Sequence, residues 1–301
     1  MLSSLDPAAQ QFLNTLNRIG DRMGRAQRQI STGVKIAQVS DAPAAVPLIL
    51  AARANATATE QILANLGRVR SEIDAGEQAL QSAVQVFDQV QTLGAQGATD
   101  TLTPEGRAVL AQQLDSLLQQ LVGLAGTAVE GRYIFAGDSD QQIPYTYTPG
   151  QPVPLSAYLG SNSTRLAQHP NGTTFPVALT AQQLFDSADP STNVFAAVQN
   201  LSTAFKNNDM TAIRTVMDGL SQVSGYLNGQ LAQYGNAQNK IAAATDFGKN
   251  LRVQLATQLS SMEDADLTEA ILEMTQAQTQ QQAALESRAR LPRSTLFDYL
   301  G

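Results

Sequence analysis

Cysteine and tryptophan are absent from this chain, histidine occurs once, and aromatic residues make up only 5% of it. Without cysteine there is no disulfide frame, no thiolate metal site and no cysteine nucleophile. The lone His169 stands beside Pro170 and Asn171 in a predicted turn, where it reads as a solvated loop residue rather than a base or ligand. A metal site would then need clustered carboxylates, and the one candidate cluster is Glu263, Asp264 and Asp266. Acids at that place complement the positive end of a helix, which is the better reading. Phe247-Gly248-Lys249-Asn250 lacks the upstream glycine and the hydroxyl residue that a phosphate loop requires. No catalytic residue, cofactor or metal is therefore expected.

Positive charge is also short. Lys and Arg number 19 against 26 Asp and Glu, a net charge of −7, which opposes non-specific binding to nucleic acid or to an anionic bilayer. The longest apolar stretch, Ala42 to Ala52, is broken by Pro43 and Pro47 and falls well short of the roughly 20 residues of a spanning helix. Met1 to Gly20 lacks the basic start and apolar run of a cleaved secretion signal. Nucleic acid and membrane are not expected partners.

What the chain does have is heptads. Leu5, Ala9, Phe12, Leu16, Ile19, Met23, Ala26 and Ile30 alternate spacings of four and three, with Asn, Gln, Arg and Asp between them. At the other end Asp266 and Glu269 form the pattern of a capping box. Beyond it run Leu267, Ala270, Met274, Ala277, Gln281, Ala284 and Arg288, flanked by Ile271 and Leu285. This stripe is small and becomes polar, so it packs closely but weakly. Pro292 ends the helix and leaves Leu296, Phe297, Tyr299 and Leu300 as an apolar tail that calls for a partner.

Between the ends lies a second heptad, Ile62, Leu66, Val69, Ile73, Gly76, Leu80, Ala83, Phe87 and Val90, after a loop placed around Ser40 to Pro47. A third helix is predicted from an N-cap at Thr103 and a Pro at the first helical position, running along Leu110, Leu114, Leu117, Leu121, Leu124 and Ala128. Gly131 to Gly137 changes period and predicts a short strand. Asp138 to Pro190 reads as a small β-rich insertion, with Asn171-Gly172 suggesting a two-residue hairpin turn. It is too small for much of a core of its own, and it is placed to project from the far end of a rod. Helix resumes at Val194, and Asp209 caps the longest repeat, from Ile213 to Leu255. The expected fold is mainly α: an elongated antiparallel helical bundle with terminal coiled-coil helices and a small β-rich insertion. Its expected parts are residues 1–35 with 262–301 as terminal assembly helices, 36–137 with 190–261 as a helical rod with a short β-hairpin, and 138–189 as the insertion.

Ile30-Ser31-Thr32-Gly33-Val34-Lys35-Ile36, followed by Ser40-Asp41-Ala42-Pro43, resembles the N-terminal signature of the flagellin family. The resemblance extends to Asn65-Leu66 through Gly76-Glu77-Gln78-Ala79-Leu80, and to Glu263-Asp264-Ala265-Asp266 with Gln276 to Ala283. Gly131-Arg132-Tyr133-Ile134-Phe135-Ala136-Gly137, the small insertion and the ending Ser294 to Leu300 are similar to hook-associated members. Filament subunits more often finish in a Leu-rich run ending with Arg, which is not found here. The resemblance implies a non-enzymatic structural subunit of the bacterial flagellum that joins hook to filament. It also implies export through the flagellar secretion channel on an uncleaved N-terminal signal, to an extracellular location. Implied partners are copies of the chain itself, a hook-associated protein on the hook side, a hook-associated protein or flagellin on the filament side, and an export chaperone. Two alternatives stand beside it: a filament subunit, and a cytoplasmic coiled-coil scaffold or secretion chaperone.

The two terminal helices alone are marginal, because their few apolar side chains must offset the backbone entropy of ordering them. Coupled folding and assembly is therefore expected. The candidate assembly interface is Leu5, Phe12, Leu16, Ile19, Met23 and Ile30 from the first helix, Leu267, Ile271, Met274 and Leu285 from the last, and Leu296, Phe297 and Leu300 from the tail.

Overall fold

A computed structural model of the protein describes residues 7–36, 38, 41–151 and 154–290. The described elements run α1 (Pro7–Thr32), α2 (Val46–Gly97), α3 (Pro104–Ala125), β1 (Ala128–Val129), β2 (Arg132–Tyr133), β3 (Leu166–Gln168), β4 (Thr174–Pro176), α4 (Ala181–Phe185), α5 (Val194–Lys206), α6 (Met210–Glu263) and α7 (Leu267–Arg290). The fold is mainly α, as the heptads require. Helix starts fall where side chains can satisfy free first-turn amides. Thr103 Oγ1 accepts from the Gly106 amide at 3.2 Å with Pro104 next to it, and Asp209 Oδ1 accepts from the Thr211 and Ala212 amides at 3.0 Å each. Helix α2 starts at Val46, so Pro47 lies inside the first turn rather than in the loop, where its missing amide does no harm. Helix α3 ends at Ala125, earlier than predicted, and Ala128 lies in β1 instead.

The chain divides into two compact units, one of Met1–Ala58 with Arg252–Gly301 and one of Thr59–Leu251. The core of the larger unit is built from the predicted heptad positions: Leu66, Ile73, Leu80, Phe87 and Val90 of α2, Leu114 and Leu121 of α3, and Ile213, Leu220, Leu227, Tyr234 and Ile241 of α6. Helix α5 adds Val194, Val198, Leu201 and Phe205 to the same cluster. Buried Arg107 ties the turns at one end of it, donating to the carbonyls of Gly97 at 2.9 Å and Thr99 at 2.7 Å and to Asn208 Oδ1 at 2.5 Å.

The strand expected over Gly131 to Gly137 is mostly not one. Only Arg132 and Tyr133 pair, antiparallel with Ala128 and Val129 across a turn made by Glu130 and Gly131 at φ 51° and 78°. Ile134, Phe135 and Ala136 then turn inward and are buried, because three consecutive apolar residues cannot all face one side of a strand. The Phe135 ring meets Phe185 and Tyr234 edge-on, each at 6.3 Å. The hairpin at Asn171-Gly172 exists, but its turn is longer than two residues. Gln168 pairs with Thr174, and between them the His169 amide donates to Thr173 O at 2.7 Å while Asn171 Oδ1 accepts from the Thr173 amide at 3.0 Å.

The insertion does not project. Its Tyr145, Ala167, Val177, Leu184 and Phe185 belong to the same buried cluster as the helices, which resolves how so short a segment is held. Arg165 of the insertion pairs with Glu72 of α2, and Gly248 of α6 is approached so closely by Leu63 and Pro170 that a Cβ there would lie 2.7 and 3.1 Å from them. His169 is half-buried rather than solvated, its ring 5.0 Å from that of Phe247. Helix α4 was not expected within this segment. It begins with a full capping box, Thr180 with Gln183, a pattern visible in the sequence but hidden among prolines and glycines.

Candidate assembly interface

The smaller unit holds both terminal helices. Helix α1 ends on Gly33, whose φ of 70° suits a residue without Cβ and whose amide donates back to Gln29 O at 2.8 Å. Helix α7 starts on the predicted N-cap, with Asp266 Oδ1 accepting from the Thr268 and Glu269 amides at 2.8 and 3.2 Å, but among the described residues Glu269 returns no bond to the Asp266 amide, so only half of the predicted capping box forms. The two helices pair antiparallel. Arg22 grips both oxygens of Glu273, at 2.5 and 3.0 Å, and reaches Gln280 Oε1 at 3.1 Å, while Arg288 lies 5.6 Å from the centre of the Phe12 ring. The hydrogen bonds and charge of Arg22 hold the Glu273 carboxyl below its ordinary range.

Small residues set the closeness of this pairing. Ala26 of α1 and Ala270 and Ala277 of α7 are buried, as is Ile19, and Phe12, Leu16, Met23, Ile30, Met274, Gln281 and Ala284 are half-buried. The predicted stripe carries the burial along α1 and from Ala270 to Ala284 of α7, whereas its first and last members on α7, Leu267 and Arg288, are exposed. Ile271 and Leu285, which flank the stripe, are exposed as well. Leu5, Leu296, Phe297 and Leu300 fall outside the described residues. Sequence reasoning passed over Leu13, Leu48, Leu50, Val253 and Leu272, which are exposed in the same unit. Their signal was being apolar off the stripe, as with Leu13 next to Phe12 and Leu272 next to Ile271. The larger unit, with nearly twice the residues, exposes Val109, Ile143, Leu159, Leu166 and Phe247 and no other large apolar side chain among its described residues. Isolated exposed apolar residues are ordinary, but their concentration on the smaller unit marks a surface suited to further burial.

The acids at the α6–α7 break have separate duties. Glu263 is held by Arg53 through two bonds of 2.8 Å, Asp264 accepts from Ser260, and Asp266 caps α7. Among the described residues no group of three or more His, Asp or Glu side chains is placed to hold a metal ion. No described helix is long and apolar enough to cross a membrane.

Terminal helices paired with each other, two long middle helices and a small β-containing insertion define a structural helical protein organised around its two chain ends. Residues 4–140 match the bacterial flagellin N-terminal helical region, and residues 210–300 match the bacterial flagellin C-terminal helical region. The chain belongs to the flagellin family, whose members are structural proteins of the bacterial flagellum. It is 25% identical over 292 residues to flagellar hook-associated protein 3 of Escherichia coli (strain K12), covering 89% of this chain and 90% of that one. It is 23% identical over 241 residues to flagellin B of Rhizobium meliloti (strain 1021), covering 76% of this chain and 57% of that one. Its fold is that of the crystal structure of flagellar hook associated protein-3 from Legionella pneumophila, with a TM-score of 0.61 at 14% identity, covering 72% of this chain and 98% of that one.

Proposed function

We propose that this chain is the adaptor that joins hook to filament in the bacterial flagellum, and that it assembles through its terminal helices. The observation that carries this reading is the end-to-end correspondence with hook-associated protein 3, 89% of one chain against 90% of the other. Against a filament subunit the chain accounts for only 57% of the partner's length, and its insertion is too short for a filament's exposed outer domain. The exposed Leu267, Ile271 and Leu285, with Leu13 and Leu272, support the terminal helices as the assembling part, since covering them needs a neighbour. In this reading residues 1–35 with 262–301 assemble, 36–137 with 190–261 form the rod, and 138–189 form the insertion. The partners are copies of the chain, a hook-associated protein on the hook side and a hook-associated protein or flagellin on the filament side. An export chaperone accompanies it before secretion through the flagellar channel, and it performs no catalysis.

A filament subunit repeats one head-to-tail contact without limit, whereas an adaptor meets a different protein on at least one side. Concentrated protein should therefore stay monomeric or close into rings. Cells lacking it should keep hooks and shed filament subunits into the medium. Long helical filaments grown from this protein alone would instead establish it as a filament subunit.

A further inference from the structure

We propose that the interruption between α6 and α7 is a two-state joint: clasped by the segment that leaves α1, it breaks the helix, and unclasped, it heals into one continuous helix. The local sequence marks a helix start at Asp266 but holds no residue that forbids a continuous helix. From Leu259 to Glu269 there is neither glycine nor proline, and only residues 264–266 separate the two helices. The Asp264 amide still donates to Ser260 O at 2.9 Å, which is the helical pattern.

What interrupts the ladder comes from outside it. The Ala265 amide, due to bond Ser261 O, donates instead to Gly33 O at 2.9 Å, and Glu263 O, due to receive the Leu267 amide, receives that of Lys35 at 2.6 Å. Both diverted groups go to the same three residues, Gly33 to Lys35. Arg53 adds a two-pronged hold on the Glu263 carboxylate, and Asp266 supplies the Thr268 and Glu269 amides that lose their ladder partners. The Asp266 and Leu267 amides make no hydrogen bond among the described residues. Healing would give ladder bonds to the amides of 265 to 269, in exchange for two backbone bonds, the two bonds of the Asp266 cap and one ion pair that is exposed on its Arg53 side only. The exchange is close to even, which is what a two-state element requires. Because one set of atoms serves both states, whatever binds the Gly33–Lys35 backbone straightens the helix, and whatever straightens the helix frees that segment. The inference does not depend on the adaptor reading.

Hydrogen exchange resolved to single amides tests it on the full chain. In the parent, the amides at positions 266 and 267 should exchange nearly as fast as unprotected ones. Glu263→Ala with Asp266→Ala removes the ion pair and the cap while favouring helix, and should slow both amides at least tenfold. Adding Leu267→Pro to that pair should restore fast exchange at position 266, because proline is tolerated at the first position of α7 but not inside a continuous helix. Amides at 266 and 267 that stay fast in the double variant overturn the proposal, whether or not 268–270 fray. So does slow exchange that survives Leu267→Pro.

Discussion

Ile271 and Ala277 sit on different faces of α7 in opposite situations, and placing an aspartate at each separates assembly from folding. Ile271 is 52% exposed and Ala277 is fully buried. In the isolated chain Ile271→Asp removes little packing, and a carboxylate near the start of a helix is electrostatically welcome. Its stability should change by no more than about 0.5 kcal/mol, on the order of 1–2 °C in Tm. In an assembly that covers this side chain the account is different. The apolar area still open on Ile271, on the order of 75 Å², contributes about 2 kcal/mol when buried. A buried carboxylate without a partner costs several kcal/mol more. A loss of about 4 kcal/mol per contact lowers association roughly a thousandfold. Ala277→Asp should do the reverse, loosening α7 from α1 in the monomer by about 3 kcal/mol or more. The assays are incorporation of each variant into flagella and, on the isolated chain, thermal unfolding with amide exchange across α7. If Ile271→Asp enters flagella at the parent's level, or loosens α7 as Ala277→Asp does, the division of this helix into an internal face and an external one is wrong.

Arg107→Ala leaves the Gly97 and Thr99 carbonyls and Asn208 without their shared donor, and should destabilise the larger unit by about 3–5 kcal/mol. Urea unfolding within about 1 kcal/mol of the parent would contradict that role. Gly76→Val should lower Tm by several degrees through overpacking of about 1–3 kcal/mol, because a Cβ there would lie 2.6 Å from Cε1 of buried Tyr234. Truncating Tyr234 as well should relieve part of that effect, and a purely additive pair of losses would argue against the contact. The folded-state pKa of Glu273 is depressed, so its stabilisation of the α1–α7 pair is present above the ordinary glutamate range and is lost as pH falls through the lowered value. Arg22→Gln should move the Glu273 titration back up, read by carboxyl carbon NMR, and an unmoved titration would exclude Arg22 as the cause.

Most of the helical architecture can be read before any coordinates are known, for a local reason. A seam at four-three spacing, a cap such as Thr103 or Asp209 and a stop all lie within a few residues of one another. The same locality made the terminal stripes legible down to Ala270 and Ala277. Locality failed in the insertion. Ile134 to Ala136 look like strand, but Phe135 lies against Phe185 and Tyr234, far along the chain. The fold-back depends on Arg165 finding Glu72, 93 residues earlier, and on Gly248 admitting Leu63 and Pro170. No periodicity encodes such meetings. The interface divides in the same way. A heptad states which side chains share a face, so Phe12, Leu16, Ile19, Met23 and Met274 could be picked out together. Whether such a face is covered by the same chain or left for another depends on which helix comes alongside. That is why tertiary structure alone separated the buried and half-buried part of the α1 and α7 stripes from Leu267, Ile271 and Leu285 on the open side.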